Sequence, residues 1–164
     1  MALVILGLGN DLLGDDGIGL LAADALRGCE GPEVAVRTSV QSGLYLLEHL
    51  QGFEDAIVVD SVAGDHPGTI RELRGADLAE MSVPSAHYVG LPEALGLARA
   101  SGLSVPHRLR IFGVEIDIAQ RIGSPPGSEV VAALPRLVAA VVTAAREWGY
   151  AVPDAPAPEV PAHA

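Results

Sequence analysis

Two kinds of apolar pattern alternate along this chain, and together they predict an α/β domain. Short runs of strand length, most of them almost continuously apolar, lie at residues 3–9, 34–38, 56–60, 69–73 and 108–115. Between them, apolar residues recur at helical spacing over residues 15–27, 42–50, 90–100 and about 128–148. Continuous apolar runs are typical of strands that helices cover on both faces. The pattern therefore predicts a three-layer α/β/α fold.

Acidic residues stand at the carboxyl ends of several predicted strands. Asp60 closes the run 56–60 and Glu115 closes the last one, while Asp16 follows the loop after the first strand. The carboxyl ends of parallel strands meet at one edge of a sheet, so these three side chains are expected to face one crevice. His87 lies in a segment without clear periodicity, which is long enough to bring an imidazole to the same edge.

The glycine loop after the first strand is more suited to a cation than to a phosphate. A dinucleotide fingerprint needs a third glycine three residues after Gly9, where this chain has Leu12. A phosphate-binding Walker loop needs a lysine, and the chain has none. Asp15 and Asp16 would repel an anion, whereas carboxylates suit a metal cation.

Two carboxylates and an imidazole suit a divalent ion such as zinc, nickel or manganese. Simpler explanations exist for each residue. Asp15 or Asp16 could only stabilise the positive end of the following helix. His87 could be a surface or packing histidine, and Glu115 a solvated strand end.

Length and composition indicate one domain with few classes of partner. The 164 residues are 49% hydrophobic and predict a single domain over residues 1–150. A Pro/Ala-rich tail, residues 151–164, is expected to be disordered. The net charge of −11 disfavours nucleic acid and anionic membrane surfaces.

Nothing in the sequence predicts insertion into a membrane or export. No uninterrupted apolar run is long enough to span a bilayer, and the start of the chain has no basic leader. Cys29 is the one cysteine, which excludes an internal disulfide and suits a structural role in a reducing cytoplasm.

Four segments, in order along the chain, resemble one known family. The first, Gly7-x-Gly9-Asn10-x-Leu12-x-x-Asp15-Asp16-Gly17-x-Gly19, resembles the signature of the nickel-iron hydrogenase maturation endopeptidases. The other three matching segments are Val58-Val59-Asp60-Ser61-Val62, Ser85-Ala86-His87-Tyr88-Val89-Gly90-Leu91 and Phe112-Gly113-Val114-Glu115. The resemblance covers roughly residues 3–148.

This resemblance implies a five-stranded, mostly parallel twisted sheet with one antiparallel strand. It also implies that Asp16, Asp60 and His87 contact a metal and carry out catalysis. Many family members have glutamate at the position of Asp16, so the shorter side chain here changes the expected geometry around the metal. Asp15 is expected to support the start of its own helix, and Gly7, Gly9 and Gly17 to keep a cleft open.

The activity implied by the resemblance is removal of the C-terminal extension of a hydrogenase large-subunit precursor after nickel insertion. The nickel would be supplied by the substrate, and other divalent cations could occupy the site. The expected partner is the precursor, bound by a monomer, without nucleic acid or membrane. The loop after the second strand is expected to contact the substrate through Thr38, Gln41, Ser42 and Gly43.

Three alternatives stay open at this point. The metal could polarise the scissile carbonyl, or it could only dock the substrate while a separate carboxylate activates water. The chain could instead be a non-catalytic Rossmann-like nucleotide-binding module. It could also be a nickel-handling chaperone without a peptidase step.

Overall fold

The computed structural model describes residues 2–74 and 91–155 of the chain. The strands are β1 (Leu3–Leu8), β2 (Val34–Ser39), β3 (Asp55–Ala63), β4 (Ile70–Arg74) and β5 (Arg108–Ile116). The helices are α1 (Ile18–Leu26), α2 (Leu47–Leu50), α3 (Leu91–Ala100) and α4 (Ser128–Glu147), with 3₁₀ segments at Asp11–Gly17, Arg27–Cys29 and Gly43–Leu46.

The strands form one sheet in the order β2-β1-β3-β5-β4. β1 pairs in parallel with β2 and β3, and β3 pairs in parallel with β5. β4 alone is antiparallel and lies at the edge against β5. The predicted five-stranded, mostly parallel sheet with one antiparallel strand is confirmed.

Helices cover both faces of the sheet and create two separate cores. Side chains of β3 alternate between them, so Ile57 and Val59 pack with α1 and α4, while Val58 packs with α2 and α3. Both sets are fully buried, which explains why the strands are continuously apolar in the sequence. The carboxyl ends of the parallel strands form one edge of the sheet, and the helical layers on both faces of the sheet flank this edge.

Helix α4 is, within the described part of the chain, the one helix long and apolar enough to cross a membrane. Half of that stretch is buried against the sheet and α1, and Val130, Leu134, Leu137 and Val141 lie in the core. A core helix of a globular domain has the same length and composition, so these two properties do not identify a membrane segment.

A buried carboxylate, that of Asp55, lies at the opposite edge of the sheet, where β3 and β5 begin. The Asp55 side chain accepts hydrogen bonds from Tyr150 and, at 2.6 Å, from the Arg108 Nε. Burial raises the pKa of Asp55, but these hydrogen bonds outweigh burial and leave its pKa below the usual value. Arg108 also stacks on the Trp148 ring, so the end of α4 is held to the amino ends of β3 and β5.

The domain continues beyond its predicted end. Val152 is buried, and its carbonyl oxygen accepts hydrogen bonds from Arg146. The Cys29 thiol lies 3.7 Å from the Pro153 carbonyl oxygen, and burial raises its pKa. The prediction that the tail is disordered from residue 151 is therefore wrong for residues 151–155.

Two predicted helix starts are also corrected. α1 begins at Ile18, because the preceding 3₁₀ segment is interrupted at Leu13 and Gly14. The predicted helix 42–50 is a 3₁₀ turn followed by one short helix, and the Ser42 side chain makes no capping hydrogen bond.

Candidate active site

The loop after β1 carries Asp16 to the carboxyl edge of the sheet. We call its 3₁₀ segment, Asp11–Gly17, the site loop. The Asn10 side chain accepts a hydrogen bond from the Leu12 N–H at 3.0 Å and so starts the first turn. Gly14, with φ of 56°, then reverses the chain, and Asp16 comes in the second turn, just before α1.

Two glycines let the backbone pack tightly behind the site loop. A Cβ on Gly9 would collide with the Asp16 carbonyl oxygen, and a Cβ on Gly7 would collide with the Gly19 carbonyl oxygen. The prediction that Gly7 and Gly9 keep a cleft open is therefore wrong. The space beside these glycines is filled by backbone, which brings β1, the site loop and α1 into direct contact.

Ser61 joins the two predicted carboxylate ligands. Its N–H donates a hydrogen bond to Asp60 Oδ1 at 2.8 Å, and its hydroxyl donates to Asp16 Oδ1. Asp60 is fully buried, whereas Asp16 is half-buried. The structure thus brings Asp16 and Asp60 together, and the sequence analysis gave Ser61 no role.

Strand geometry explains the position of Ser61. Successive side chains of a strand point to opposite faces, so Asp60 follows Val58 toward the α3 face and Ser61 follows Val59 toward the α1 face. Ser61 can therefore reach Asp16, which immediately precedes α1. Its position directly after Asp60 in the strand-end motif was the signal available in the sequence.

A metal at this site would need more ligands than the described residues supply. Within residues 2–74 and 91–155, no group of three His, Cys, Asp or Glu side chains is arranged to hold a metal ion. His87, the third predicted ligand, lies outside the described residues. The two carboxylates joined by Ser61 are a donor set that fits a divalent cation, provided that a further ligand is added.

Asp15 faces away from Asp16 and binds the loop before α4. Its carboxylate accepts hydrogen bonds from the Gly127 N–H at 2.5 Å and from Gln120 Nε2 at 3.3 Å. Asp15 therefore lies at the N-terminal end of α4, where a negative charge is favourable. The prediction that it supports the start of its own helix is wrong, because the kink in the site loop turns its side chain toward α4.

Glu115 is buried and already paired. Its carboxylate binds the Arg71 guanidinium and accepts a hydrogen bond from the His66 N–H at 3.0 Å. Burial raises the pKa of Glu115, but the His66 N–H and the Arg71 charge outweigh burial and leave the pKa below its usual value. Glu115 is therefore not a solvated strand end; it anchors the loop between β3 and β4.

The last residue of β2 contacts the segment between β1 and the site loop. The Gly9 N–H donates a hydrogen bond to the Ser39 carbonyl oxygen at 3.3 Å. Of the predicted substrate contacts, Gln41 and Ser42 are exposed and Thr38 is half-buried. Gly43 is buried at a φ of 59°.

Most exposed apolar side chains lie on segments that follow the carboxyl ends of parallel strands. Six of the eight large apolar residues that are exposed in the described chain follow the carboxyl ends of parallel strands: Leu12, Val40, Leu44, Tyr45, Ile118 and Ile122. Ile118 and Ile122 are each 82% exposed. Apolar side chains that gather on a surface are typical of protein-binding sites.

The fold and this edge define the class of protein: an open α/β domain in which Ser61 joins two carboxylates, Asp16 after β1 and Asp60 within β3. A family model described as hydrogenase maturation protease matches residues 38–144. The chain is 33% identical to the hydrogenase expression/formation protein HoxM of Azotobacter vinelandii, over 95% of this chain and 82% of that protein. It is 28% identical to HupD of Rhizobium leguminosarum bv. viciae, over 94% of this chain and 79% of HupD.

Solved structures show the same relationship. The hydrogenase maturating endopeptidase HybD of Escherichia coli superposes with a TM-score of 0.77, covering 93% of this chain and 96% of HybD at 26% identity. The [NiFe] hydrogenase maturation protease HybD of Thermococcus kodakarensis gives a TM-score of 0.66 at 28% identity, covering 88% of this chain and 99% of that one.

The chain belongs to the hydrogenase maturation protease family. Membership makes it an endopeptidase of hydrogenase precursors.

Proposed function

We propose that this endopeptidase removes the C-terminal extension of a nickel-iron hydrogenase large-subunit precursor, and that it recognises the precursor by nickel already bound there. The observation that carries this proposal is the pair Asp16 and Asp60, joined by Ser61 at the carboxyl edge of the sheet. Nickel is part of the substrate in this proposal, so the protein needs only an incomplete set of ligands.

Asp16, Asp60 and His87 would hold the substrate's nickel. A metal at this position can polarise a carbonyl group or lower the pKa of a bound water. The protein's own contribution is to keep its carboxylates in place before the substrate arrives. Asp60 is fixed by burial and by the Ser61 N–H, and Asp16 is fixed by the Ser61 hydroxyl.

The two carboxylates are suited to different tasks. Asp60 is fully buried and can orient a bound group but has little access to water. Asp16 is half-buried and can accept a proton from a water molecule that approaches from solvent. If nickel only docks the substrate, Asp16 is the carboxylate that would activate the attacking water.

The exposed apolar side chains at this edge would bind the body of the precursor. Gln41 and Ser42 lie on one side of the site loop, after β2, and Ile118 and Ile122 lie after β5. A large protein substrate can contact both sides at once, whereas a small molecule cannot. The loop 38–43 would then contribute to the choice among precursors, and its exchange for another member's loop should change that preference.

The test is cleavage of a purified precursor, with release of the C-terminal peptide followed by mass spectrometry. Nickel-loaded precursor should be cleaved and nickel-free precursor should not. Asp16→Asn, Asp60→Asn and His87→Ala should each lower kcat by roughly 10²-fold or more. Asp24→Asn is the matched control, because Asp24 is exposed on α1 and pairs only with Arg27 in the described structure.

Two results would contradict the proposal. Normal cleavage by all three variants would exclude the metal-binding role of these residues. Stable binding of nickel-loaded precursor without peptide release would indicate a nickel carrier instead.

A further inference from the structure

We propose that Gln120 is a positioning residue: it holds Asp15 and thereby fixes the position of the neighbouring Asp16 carboxylate for the reaction. This inference rests on the proposed function, because it assumes that Asp16 acts on the nickel-bearing substrate. Gln120 lies on the segment between β5 and α4, and no feature of the sequence pointed to it.

The Gln120 side-chain amide pairs with the backbone N–H and the carboxylate of Asp15. Its Oε1 accepts a hydrogen bond from the Asp15 N–H at 3.2 Å, and its Nε2 donates to Asp15 Oδ2 at 3.3 Å. The same Nε2 donates to the Asp117 carbonyl oxygen at 2.7 Å, which fixes the amide in its own loop. Gln120 is half-buried, so water competes only partly for these hydrogen bonds.

Three further contacts tie the same segment to the site loop. The Gly127 N–H donates to Asp15 Oδ1 at 2.5 Å, and the Gly123 N–H donates to the Leu12 carbonyl oxygen at 2.8 Å. Gly14 packs so closely that a Cβ there would lie 2.8 Å from the Ser124 carbonyl oxygen. These contacts, with the Gln120 pair, are called the clamp from here on.

The clamp holds Asp15, and one peptide unit joins Asp15 to Asp16. Gln120 holds the N–H of Asp15, and on the other side the Asn10 N–H donates to the Asp16 carbonyl oxygen at 3.3 Å. With the backbone held at both ends, the carboxylate of Asp16 meets the Ser61 hydroxyl. Small displacements of a group that contacts the reacting atoms lower catalytic rates strongly, so loosening this support should lower activity.

A purely structural role for Gln120 predicts a different outcome. In that case the loss of its hydrogen bonds would lower the melting temperature, and activity would fall only as the folded fraction falls. A positioning role predicts a loss of Ni²⁺ affinity and kcat in protein that is fully folded. Outer contacts of metal-binding side chains typically change affinity or activity 10- to 100-fold.

The test compares Gln120→Leu with Gln51→Leu, a control at an exposed glutamine in the turn after α2. Ni²⁺ binding to the substrate-free full-length protein is measured by calorimetry, and cleavage of nickel-loaded precursor gives kcat and KM separately. Gln120→Leu should weaken Ni²⁺ binding and lower kcat by about 10-fold each, with KM and melting temperature close to wild type. Gln51→Leu should leave all four quantities unchanged.

A charge exchange provides the second arm and does not depend on the leucine variant folding. Asp15→Asn alone leaves one side-chain oxygen for two donors, Gln120 Nε2 and the Gly127 N–H. Gln120→Glu alone sets two carboxylates against each other and also removes the donor that binds the Asp117 carbonyl oxygen. The double variant Asp15→Asn/Gln120→Glu restores a donor between the two side chains, while the contact with Asp117 stays lost. Its Ni²⁺ affinity and kcat should therefore be closer to wild type than those of Gln120→Glu alone.

The outcomes separate this inference from the proposed function. If the Gln120→Leu variant has the Ni²⁺ affinity and kcat of the wild-type protein, and the wild-type protein cleaves the precursor, the positioning role alone is overturned. A double variant no better than Gln120→Glu, with kcat falling in step with melting temperature, would also overturn it. A wild-type protein that neither binds Ni²⁺ nor cleaves would overturn the proposed function and this inference together.

Discussion

At the scale of single residues, Ser61 has the most direct influence on the site. It uses both its N–H and its hydroxyl, and each binds a different carboxylate. Only the hydroxyl can be removed by substitution, because the N–H belongs to the backbone. A substitution of Ser61 therefore removes the hydrogen bond to Asp16 and keeps the hydrogen bond to Asp60.

We expect Ser61→Ala to lower kcat by at least about tenfold while leaving the fold intact. The hydroxyl bond to an ionised carboxylate is worth about 1.5–3 kcal/mol, and about 1.4 kcal/mol corresponds to a factor of ten in rate. Precursor cleavage followed by mass spectrometry measures the change. Ser101→Ala, at an exposed serine after α3, is the control. An unchanged kcat would mean that Asp16 does not need this hydroxyl.

Glu115 makes stability depend on pH in the acid range. Its pKa is lower in the folded protein than the ordinary value of 4.5, so the folded state favours the charged form. The resulting stability is fully present above about pH 4.5 and is lost as pH falls through the lowered pKa. Glu115→Gln removes this charge and keeps the size of the side chain.

Glu115→Gln should therefore destabilise the protein by about 1–3 kcal/mol at pH 7 and less at pH 3. Urea unfolding across this pH range, followed by the fluorescence of the single tryptophan, Trp148, measures the difference. Glu48→Gln, at an exposed glutamate of α2, is the control. A loss in the variant that is equal at both pH values would contradict the assignment of the ion pair to Arg71.

The sequence carried part of the site but not its contacts. Asp16 and Asp60 were identifiable because Asp16 follows the loop after β1 and Asp60 closes an apolar run, and parallel strands end at one edge. The prediction that the strand ends at Asp60 is wrong, because pairing with β5 continues β3 to Ala63. Gln120 was not, since it lies 105 residues from Asp15 and acts through hydrogen bonds that local pattern does not encode. The role of Glu115 stayed open for the same reason, because its partner Arg71 comes from the neighbouring antiparallel strand.

At the scale of elements, periodicity predicted the strands and the two long helices well. Continuous apolar runs marked the strands because both faces of the sheet are covered by helices. The start of α1 and the short α2 were predicted poorly, since the first residues of each predicted helix form 3₁₀ turns instead of α-helix. The order of the strands in the sheet also depends on long-range pairing, which spacing does not reveal.

The segment between β5 and α4 combines support for the site with an exposed surface. We expect Ile118→Ser and Ile122→Ser to raise KM for the precursor several-fold while kcat stays constant, because each side chain loses apolar contact only in the complex. Leu97→Ser is a suitable control, since Leu97 is 66% exposed but lies on α3. Equal KM values for all three variants would exclude this segment from the substrate interface.

At the scale of the whole molecule, the boundary of the domain is set by packing. Val152 is 5% exposed and its carbonyl oxygen binds Arg146, so the chain is held to α4 after the helix ends. Composition alone placed the boundary too early, because it weighed the prolines of the tail and not the burial of Val152.

A chain that ends at Ala151 should be less stable than one that ends at Ala155 by about 2.5–4 kcal/mol. The shorter chain loses the buried valine, worth about 1.5–3 kcal/mol, and the hydrogen bonds to its carbonyl oxygen, worth about 1 kcal/mol more. Urea unfolding of the two chains gives the difference directly. Val152→Ala in the longer chain isolates the contribution of the side chain. Equal stability of both chains would show that this contact is not needed in solution.

The alternation of Asp60 and Ser61 has a consequence for how activity relates to folding. Asp60 belongs to the α3 face of the sheet, while Ser61 and Asp16 belong to the α1 face. Two separate cores must both be formed before the carboxylates meet. We therefore expect that a partly folded chain, with one layer packed and the other loose, has no competent site and does not cleave the precursor.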